Sequence, residues 1–369
     1  NTATHGGGVR IRGVILNSTI EYNESSNNGG GLYLQAGSAY NCIITNNVSL
    51  SGGGGVDMYG TGSLVNCLVA NNTAGNVGGL SMRSNNRETA DSGSDIINCT
   101  IVNNTQKNTN NPQFCGVRLD VRNNPNRAFV NNVVYGNTIN GEVQAQELGG
   151  YPQGYGKFLN NAVAGTTANV TYIQLDAENA PQFNENYSFA WTSPLYNAGS
   201  NDALAYFVGD KDVYGNARKQ GTNMEIGAVE HTEYKATVAT IENGSLTLEF
   251  LGQQLELVAG EYSLPEGFTA TVVATPAEGY VLDKITIDQI ALETVEGVYT
   301  LPAIKSNIVL AATFVKQSTP TAVENATNAV QVIAIYDMLG RQIHNTVNTL
   351  ATGMYIVVTS EGTQKISIK

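Results

Sequence analysis

Six residues at matched positions of a sequence repeat have side chains that could together bind a sugar. Two are tyrosines, whose rings can stack on the apolar face of a sugar. The others are arginines and aspartates, which form charge-assisted hydrogen bonds with hydroxyl groups. The candidates for this shallow ligand-binding face are Tyr33, Asp57, Tyr59, Arg83, Arg118 and Asp120. Because each contact would stay partly solvated, the expected affinity is weak, on the order of 0.1 to 1 mM.

A structural role is the alternative interpretation of the same residues. Outward positions of a half-buried strand are polar whatever the protein does. Charges of neighbouring repeats could simply pair, for example Arg83 with Asp120. Both interpretations place the six side chains on a solvent-facing surface.

The candidate face does not fit a glycoside hydrolase. Asp57 and Asp120 lie two repeats apart in different columns, so strand geometry separates them by roughly 12 Å, beyond the carboxylate spacing of either hydrolytic mechanism. The histidines, His5, His231 and His344, fall in separate regions and do not predict a shared metal site. We therefore predict no catalytic residue, metal or cofactor, and a binding protein is favoured over an enzyme.

A repeat of about 24 residues, lengthening to 32 or 33 further on, positions these side chains. Apolar and polar residues alternate after each repeat's glycine cluster, which predicts short strands. Two or three strands cannot bury an apolar face alone, whereas repeats stacked about 4.8 Å apart share a continuous core. The sequence therefore predicts an all-β chain that begins with a parallel β-helix. The aligned positions are Gly8, Gly31, Gly55, Gly79 and Gly116, and Asn17, Asn41, Asn66, Asn98, Asn131 and Asn160.

A second asparagine column is predicted where the chain turns between strands. Asparagine tolerates left-handed φ, and amides in one column could also bond from repeat to repeat. The residues are Asn23, Asn47, Asn72, Asn104 and Asn137.

Three cysteines, Cys42, Cys67 and Cys99, share one column between apolar neighbours. We predict that they point inward as unpaired, small apolar side chains. In-register side chains keep their Cβ atoms near the repeat spacing, wider than the roughly 3.8 Å that a disulfide prefers. Cys115 stands where other repeats have glycine and has no evident partner.

Composition and charge limit the partners. The 369 residues include 40 glycines, and only 14% are charged, which favours two or three β-rich domains. The net charge of −12 disfavours nucleic acid and anionic membranes as partners but is compatible with neutral or cationic ligands. The sequence contains no run of 18 apolar residues, so no membrane insertion is predicted. We expect a monomer, and a mature fragment that lacks upstream repeats because it begins inside one.

Three insertions lengthen the later repeats, at 84–95, 105–114 and 138–157. Loops on a rigid scaffold often carry binding residues. The first insertion leaves directly from Arg83 and therefore borders the candidate face.

Residues 1–232 resemble the right-handed parallel β-helix surface proteins of Bacteroidetes, which are similar to polymorphic outer membrane proteins. The resemblance rests on the recurring "GGG" and Asn-Cys phrases and on a closing segment, "SPLYNAGSND" (193–202) with "GDKDVYGNARKQGTNMEIGAVE" (209–230). Residues 233–316 resemble the internalin-type bacterial surface repeat, through "TPAEGY". A polar linker is predicted at 317–329. Residues 330–369, with "YDMLGR" and "GMYIV", resemble the C-terminal sorting domain of type IX secretion substrates.

These resemblances imply a β-helix followed by two small β domains, located outside the cell or on the outer membrane. They imply export machinery as a partner of the C-terminal domain, and adhesion or binding to a host or plant glycan as the function. Two alternatives stay open: a polysaccharide lyase or glycoside hydrolase whose site lies partly upstream, and a purely structural stalk. Release of products from a polysaccharide would indicate an enzyme. Retention of a glycan without turnover would indicate a binding protein, and the absence of both would indicate a stalk.

Overall fold

The computed structural model describes residues 1–84, 89–108, 115–144, 146–165, 169–317, 332–344, 347–360 and 362–368. The chain is all-β, with parallel sheets in its N-terminal part and largely antiparallel sheets towards its C terminus. Compact contacts divide it into two units, Asn1–Pro276 with Leu282–Phe314, and Ala277–Val281 with Val315–Lys369. Parts of the three insertions (85–88, 109–114 and 145) lie outside the described residues, as do 318–331, which include most of the predicted linker, and 345–346, 361 and 369 of the predicted sorting domain.

Sheets A and B are the first two of four parallel sheets in the N-terminal part. Sheet A contains, in spatial order, β1 (Thr2–His5), β5 (Glu24–Asn28), β9 (Val48–Ser49), β13 (Thr73–Ala74), β17 (Thr105–Gln106), β21 (Thr138–Ile139) and the antiparallel β22 (Glu142–Val143). Sheet B contains β2 (Val9–Ile11), β6 (Leu32–Gln35), β10 (Val56–Tyr59), β14 (Leu80–Arg83), β18 (Val117–Leu119) and β23 (Leu148–Gly150).

Sheets C and D complete the set. Sheet C contains β3 (Val14–Leu16), β7 (Ser38–Tyr40), β11 (Ser63–Val65), β15 (Asp95–Ile97), β19 (Asn124–Val130) and β24 (Tyr155–Leu159). Sheet D contains β4 (Thr19–Glu21), β8 (Ile43–Thr45), β12 (Leu68–Ala70), β16 (Thr100–Val102), β20 (Val133–Tyr135), β25 (Ala162–Ala164) and β26 (Ile173–Leu175).

The pairing of these strands confirms the repeat alignment. Val56 pairs with Leu32 on one side and with Leu80 on the other, and Leu80 pairs with Val117. Equivalent residues of successive repeats therefore lie side by side. Apolar residues of sheets B, C and D, such as Met58 and Leu64, share one buried core.

A ladder of buried asparagines runs along this core. The backbone N–H and the side-chain amide of each asparagine donate to the side-chain oxygen of the asparagine one repeat later, at 2.9–3.1 Å, from Asn23 through Asn47, Asn72 and Asn104 to Asn137. The buried carboxylate of Glu147 ends the ladder by accepting from the Asn137 backbone N–H at 2.9 Å and its side-chain amide at 2.7 Å. Burial raises the pKa of Glu147 to about 7.

The turn prediction for these five asparagines is wrong by one residue. The left-handed conformation belongs to the residue before each of them, at Tyr22, Asn46, Asn71, Asn103 and Gly136, with φ between 54° and 70°. The ladder asparagine cannot take this conformation because its backbone N–H and side-chain amide must both point towards the next repeat. The other column, represented by Asn41 and Asn66, is left-handed, with φ of 52° and 54°.

The aligned glycines are required by close approach to the ladder. A Cβ atom at Gly31 would lie 2.7 Å from the Asn47 side-chain nitrogen, and one at Gly55 would lie 2.8 Å from that of Asn72. Contacts this short are repulsive, and neither glycine has positive φ. The glycine cluster and the ladder asparagine of each repeat therefore pack together as one arrangement.

The cysteine prediction is confirmed: Cys42, Cys67 and Cys99 are free, fully buried and in one column. The backbone N–H of Cys42 donates to the Cys67 sulfur at 3.4 Å, and that of Cys99 donates to the Asn132 side-chain oxygen at 2.9 Å. Cys115 is also free and buried, and its thiol donates to the Asn137 carbonyl at 3.2 Å.

The segment 193–230 covers the outer faces of sheets C and D. Its apolar residues, such as Leu195 and Ile226, pack on Leu68 and Val102. The side-chain amide of Asn98 donates to the carbonyls of Glu225 and Gly227, each at 3.1 Å. This segment thus buries the side of two sheets that would otherwise face water.

A buried ion pair closes the same segment. The Arg218 Nε atom lies 3.2 Å from a Glu230 carboxylate oxygen, with both side chains nearly inaccessible. Asp212 accepts hydrogen bonds from the backbone N–H groups of Tyr214, Asn216 and Glu230. The Asp-x-x-Gly-Asn-x-Arg phrase is therefore a turn that is held to Glu230, the last residue of the segment.

The C-terminal part contains three further sheets. Sheet E contains β30 (Glu261–Pro265), β27 (Glu233–Val238), β36 (Ile308–Lys316), β32 (Tyr280–Ile287) and β33 (Ile290–Ala291), with β27 and β36 parallel. Sheet F contains β29 (Gln253–Gln254), β28 (Gly244–Phe250), β31 (Ala270–Pro276), β35 (Val298–Leu301) and β34 (Thr294–Val295). Sheet G contains β38 (Gln342–Ile343), β37 (Val332–Asp337), β39 (Gly353–Thr359) and β40 (Gly362–Ile368).

Helical structure among the described residues is limited to three 3₁₀ turns, Pro152–Gly154, Asn201–Tyr206 and Val347–Thr349. None of the helices in the described part of the chain is long and apolar enough to cross a membrane.

The packing of glycine on the asparagine ladder can be tested with two alanine substitutions. We expect Gly55→Ala to lower the free energy of unfolding by about 1–3 kcal/mol, because its Cβ atom would overlap Val69 and Asn72. Gly13→Ala is the matched control, since the nearest atom to a Cβ there is 3.9 Å away, and its effect should stay within about 0.5 kcal/mol. Urea denaturation followed by far-ultraviolet circular dichroism measures both. Equal stability of the two variants would contradict the packing argument.

Candidate functional site

Sheet B carries the predicted candidates in two adjacent columns. Strand register places Arg10, Tyr33, Asp57, Ser81 and Arg118 side by side. The neighbouring column contains Gln35, Tyr59 and Arg83. Arg12 and Asp120 extend it, since the Arg12 side chain bonds Gln35 and the Asp120 backbone N–H donates to the Met82 carbonyl. Asp57 and Asp120 therefore lie in different columns, as predicted.

Asp57 lies at the centre of this face and is held on three sides. The Arg83 guanidinium binds both of its carboxylate oxygens, at 3.0 and 3.1 Å. The backbone N–H of Gly53 donates to one oxygen at 3.3 Å, and a Cβ atom on Gly52 would lie 2.2 Å from that oxygen. The glycine cluster therefore wraps the carboxylate. Burial raises the pKa of Asp57, and the Arg83 charge acts in the opposite direction.

The prediction that all six side chains face solvent is wrong for three of them. Tyr33 and Asp120 are each 6% exposed, and Asp57 is fully buried. Neighbouring side chains lie close to Tyr33. The Arg10 guanidinium carbon is 5.6 Å from the centre of the Tyr33 ring, and the centre of the His5 ring is 5.7 Å from it. Burial and the Asp57 charge raise the pKa of Tyr33. The side chains of Tyr33, Asp57 and Asp120 are therefore packed under the surface residues of sheet B and are not available to a ligand.

The charges also pair differently from the example of Arg83 with Asp120. Arg83 pairs with Asp57 of the preceding repeat, and Arg118 binds Asp120, two residues further along the chain, at 3.1 Å. Asp57 is the better partner for Arg83 because it accepts two parallel hydrogen bonds from one guanidinium.

Three predicted residues stay accessible on the surface of sheet B. Tyr59 is partly exposed, and the side chains of Arg83 and Arg118 are 33% and 36% exposed. The Arg83 guanidinium lies 5.9 Å from the centre of the Tyr59 ring. Since Arg83 uses Nε and one terminal nitrogen for Asp57, its other terminal nitrogen is left to donate outward. The surface can thus offer a ring and fixed hydrogen-bond donors.

The six predicted residues do not include three neighbours that share these columns. These neighbours are Arg10, Arg12 and Gln35, and both arginines donate to the Gln35 side-chain oxygen. Their positions in the same columns as the predicted residues are the sequence signal that could have identified them. Within the described part of the chain, no group of three or more acidic, histidine or cysteine side chains is arranged to hold a metal.

Comparison with known proteins identifies one region. Residues 234–318 match the family model of the divergent InlB B-repeat domain, in agreement with the internalin-type resemblance. No curated protein and no solved structure is significantly similar to the chain.

The ion pair at the centre of the face should be needed for stability. Arg83→Met leaves the buried Asp57 carboxylate without its cation, so we expect a loss of about 3 kcal/mol in the free energy of unfolding. Adding Asp57→Asn should restore most of it. Arg10→Met, which breaks no ion pair among the described residues, should cost less than about 1 kcal/mol. A double variant no more stable than Arg83→Met, by urea denaturation, would refute the pairing.

Proposed function

We propose that the chain is a secreted or cell-surface protein that binds glycans on the outward surface of sheet B. The observation that carries the proposal is the fixed position of two accessible groups. Asp57 locks the Arg83 guanidinium through two hydrogen bonds, and the locked guanidinium lies beside the Tyr59 ring. A ring and a donor that are already ordered lose little conformational entropy when a sugar binds.

We further propose that the N-terminal part is a right-handed parallel β-helix. From β1 to β21, consecutive strands enter sheets A, B, C and D in turn, and each sheet gains one parallel strand per repeat. A rigid scaffold of this kind supports extended ligands, because equivalent side chains recur at intervals of about 4.8 Å.

A structural stalk is the second candidate function. The burial of Tyr33, Asp57 and Asp120 favours it, since half of the predicted face contributes to stability. Glycan retention separates the two candidates, because a stalk retains none.

The binding proposal is tested by replacing the accessible ring. Tyr59→Ala should weaken retention of the glycans held by the wild type about tenfold, equivalent to about 1.4 kcal/mol. Tyr22→Ala is the matched control, since Tyr22 is 72% exposed and lies outside sheet B, and should leave retention unchanged. A glycan array followed by calorimetry gives both values. If the wild type retained no glycan, the structural stalk would be the remaining candidate function. Unchanged glycan binding by Tyr59→Ala would exclude this site.

We also propose that residues 330–369 direct export to the cell surface. The Tyr-Asp-x-Leu-Gly-Arg phrase forms a turn in which the Asp337 carboxylate accepts from the backbone N–H groups of Leu339 and Arg341, each at 2.9 Å. This exposed turn is a feature that export machinery could recognise.

Removing the segment after Thr321 tests this assignment. In the source organism, the truncated protein should remain inside the cell envelope, because it lacks the sorting signal. Its N-terminal part should stay folded, since the deleted segment contributes no strand to sheets A to D. Surface proteolysis of intact cells and circular dichroism of the purified protein provide the two measurements. Wild-type amounts at the surface would refute the sorting role.

A further inference from the structure

Two cations converge beside strands β2 and β6 of sheet B. Arg10 donates from a terminal nitrogen to the Gln35 side-chain oxygen at 3.0 Å, and Arg12 donates from Nε to the same oxygen at 3.2 Å. Both arginines are exposed. Neither belongs to any ion pair among the described residues. The acceptor that gathers them is neutral, so two positive charges lie together without a counter-charge.

This arrangement is unfavourable unless an anion joins it. Two like charges a few ångströms apart repel by about 1 kcal/mol even in water. The chain has acidic groups in excess, 31 against 19 basic ones, yet none of the described ones pairs with Arg10 or Arg12. At physiological ionic strength, fields are screened over about 8 Å. An approaching anion would therefore respond to this local pair more than to the net charge of the whole protein.

The same column connects the pair to the accessible groups of the proposed glycan face. Arg12, Gln35, Tyr59 and Arg83 follow one another across four repeats. Three steps of about 4.8 Å give a length of roughly 14 Å, enough for a short stretch of polysaccharide. Cationic donors lie at both ends of this stretch, with a ring between them.

We propose that Arg10, Arg12 and Gln35 bind a carboxylate of an acidic polysaccharide whose chain continues over Tyr59 to Arg83. This inference rests on the proposed glycan binding and specifies its ligand class. A guanidinium presents paired donors that match the two oxygens of a carboxylate, and the Gln35 amide adds a neutral donor. A repeating acidic sugar would neutralise both cationic ends in one bound segment.

The test compares acidic polymers with their uncharged forms. Hyaluronan and polygalacturonate are each measured against their methyl esters, which keep the sugar chain and remove the charge. The wild type should bind at least one acid form about tenfold more tightly than its ester, and the difference should shrink as salt increases. Arg10→Gln with Arg12→Gln should reduce the preference to less than threefold.

A charge-matched control separates this site from general electrostatics. Lys107→Gln with Lys305→Gln makes the same change in net charge at two exposed positions outside sheet B, and should keep the preference for the acid form. Thermal unfolding by circular dichroism should be the same for both double variants and the wild type, because all four replaced side chains are exposed.

Four outcomes would overturn the inference. Equal binding of acid and ester would refute the carboxylate site. So would a preference for the acid form that survives the double arginine substitution. Neither result would contradict glycan binding at Tyr59. Tighter binding of heparin than of either carboxylated polymer, lost in the arginine variant, assigns the site to sulfate. Binding of neither polymer, together with an empty glycan array, refutes the proposed function itself and the inference with it.

Discussion

The contact between each glycine cluster and a buried asparagine is the constraint on which the parallel sheets depend. An asparagine such as Asn72 accepts two hydrogen bonds from the repeat before it and donates two to the repeat after it. Its side chain fits only because Gly55 has no Cβ atom. A slip in register would leave these buried amides unpaired, at a cost of about 1–3 kcal/mol for each group. The ladder therefore fixes the register of sheets A to D.

The fixed register in turn creates the polar columns of sheet B. Asp57 can be buried because Gly52 leaves space for one of its oxygens and the Gly53 N–H donates to that oxygen. Arg83 supplies a cation one repeat later. A carboxylate at the same position without these neighbours would be strongly destabilising. The ordered Arg83 and Tyr59 pair is thus a consequence of the same glycine clusters that accommodate the asparagine ladder.

Repetition and alternation predicted the strands, the columns and the inward cysteines, because these features depend on residues about one repeat apart. The burial of Asp57 was not predicted, since it depends on how the backbone of the glycine cluster folds over the side chain. The left-handed turns were misplaced by one residue because, in three of the five repeats, either of two adjacent asparagines can adopt that conformation. The contact of Asn98 with Glu225 spans 127 residues, and no local pattern indicates on which sheets the segment 193–230 packs.

The charge of the chain illustrates the difference between composition and placement. A net charge of −12 argues against a polyanion as partner when charge is considered over the whole protein. Stacking of repeats, however, brings Arg10, Arg12, Arg83 and Arg118 onto one sheet, where only Asp57 and Asp120 oppose them in the described ion pairs. The surface of sheet B therefore carries a local positive excess at Arg10 and Arg12. Since screening limits fields to about 8 Å, an ion close to this surface would respond to the local excess more than to the net charge of the protein.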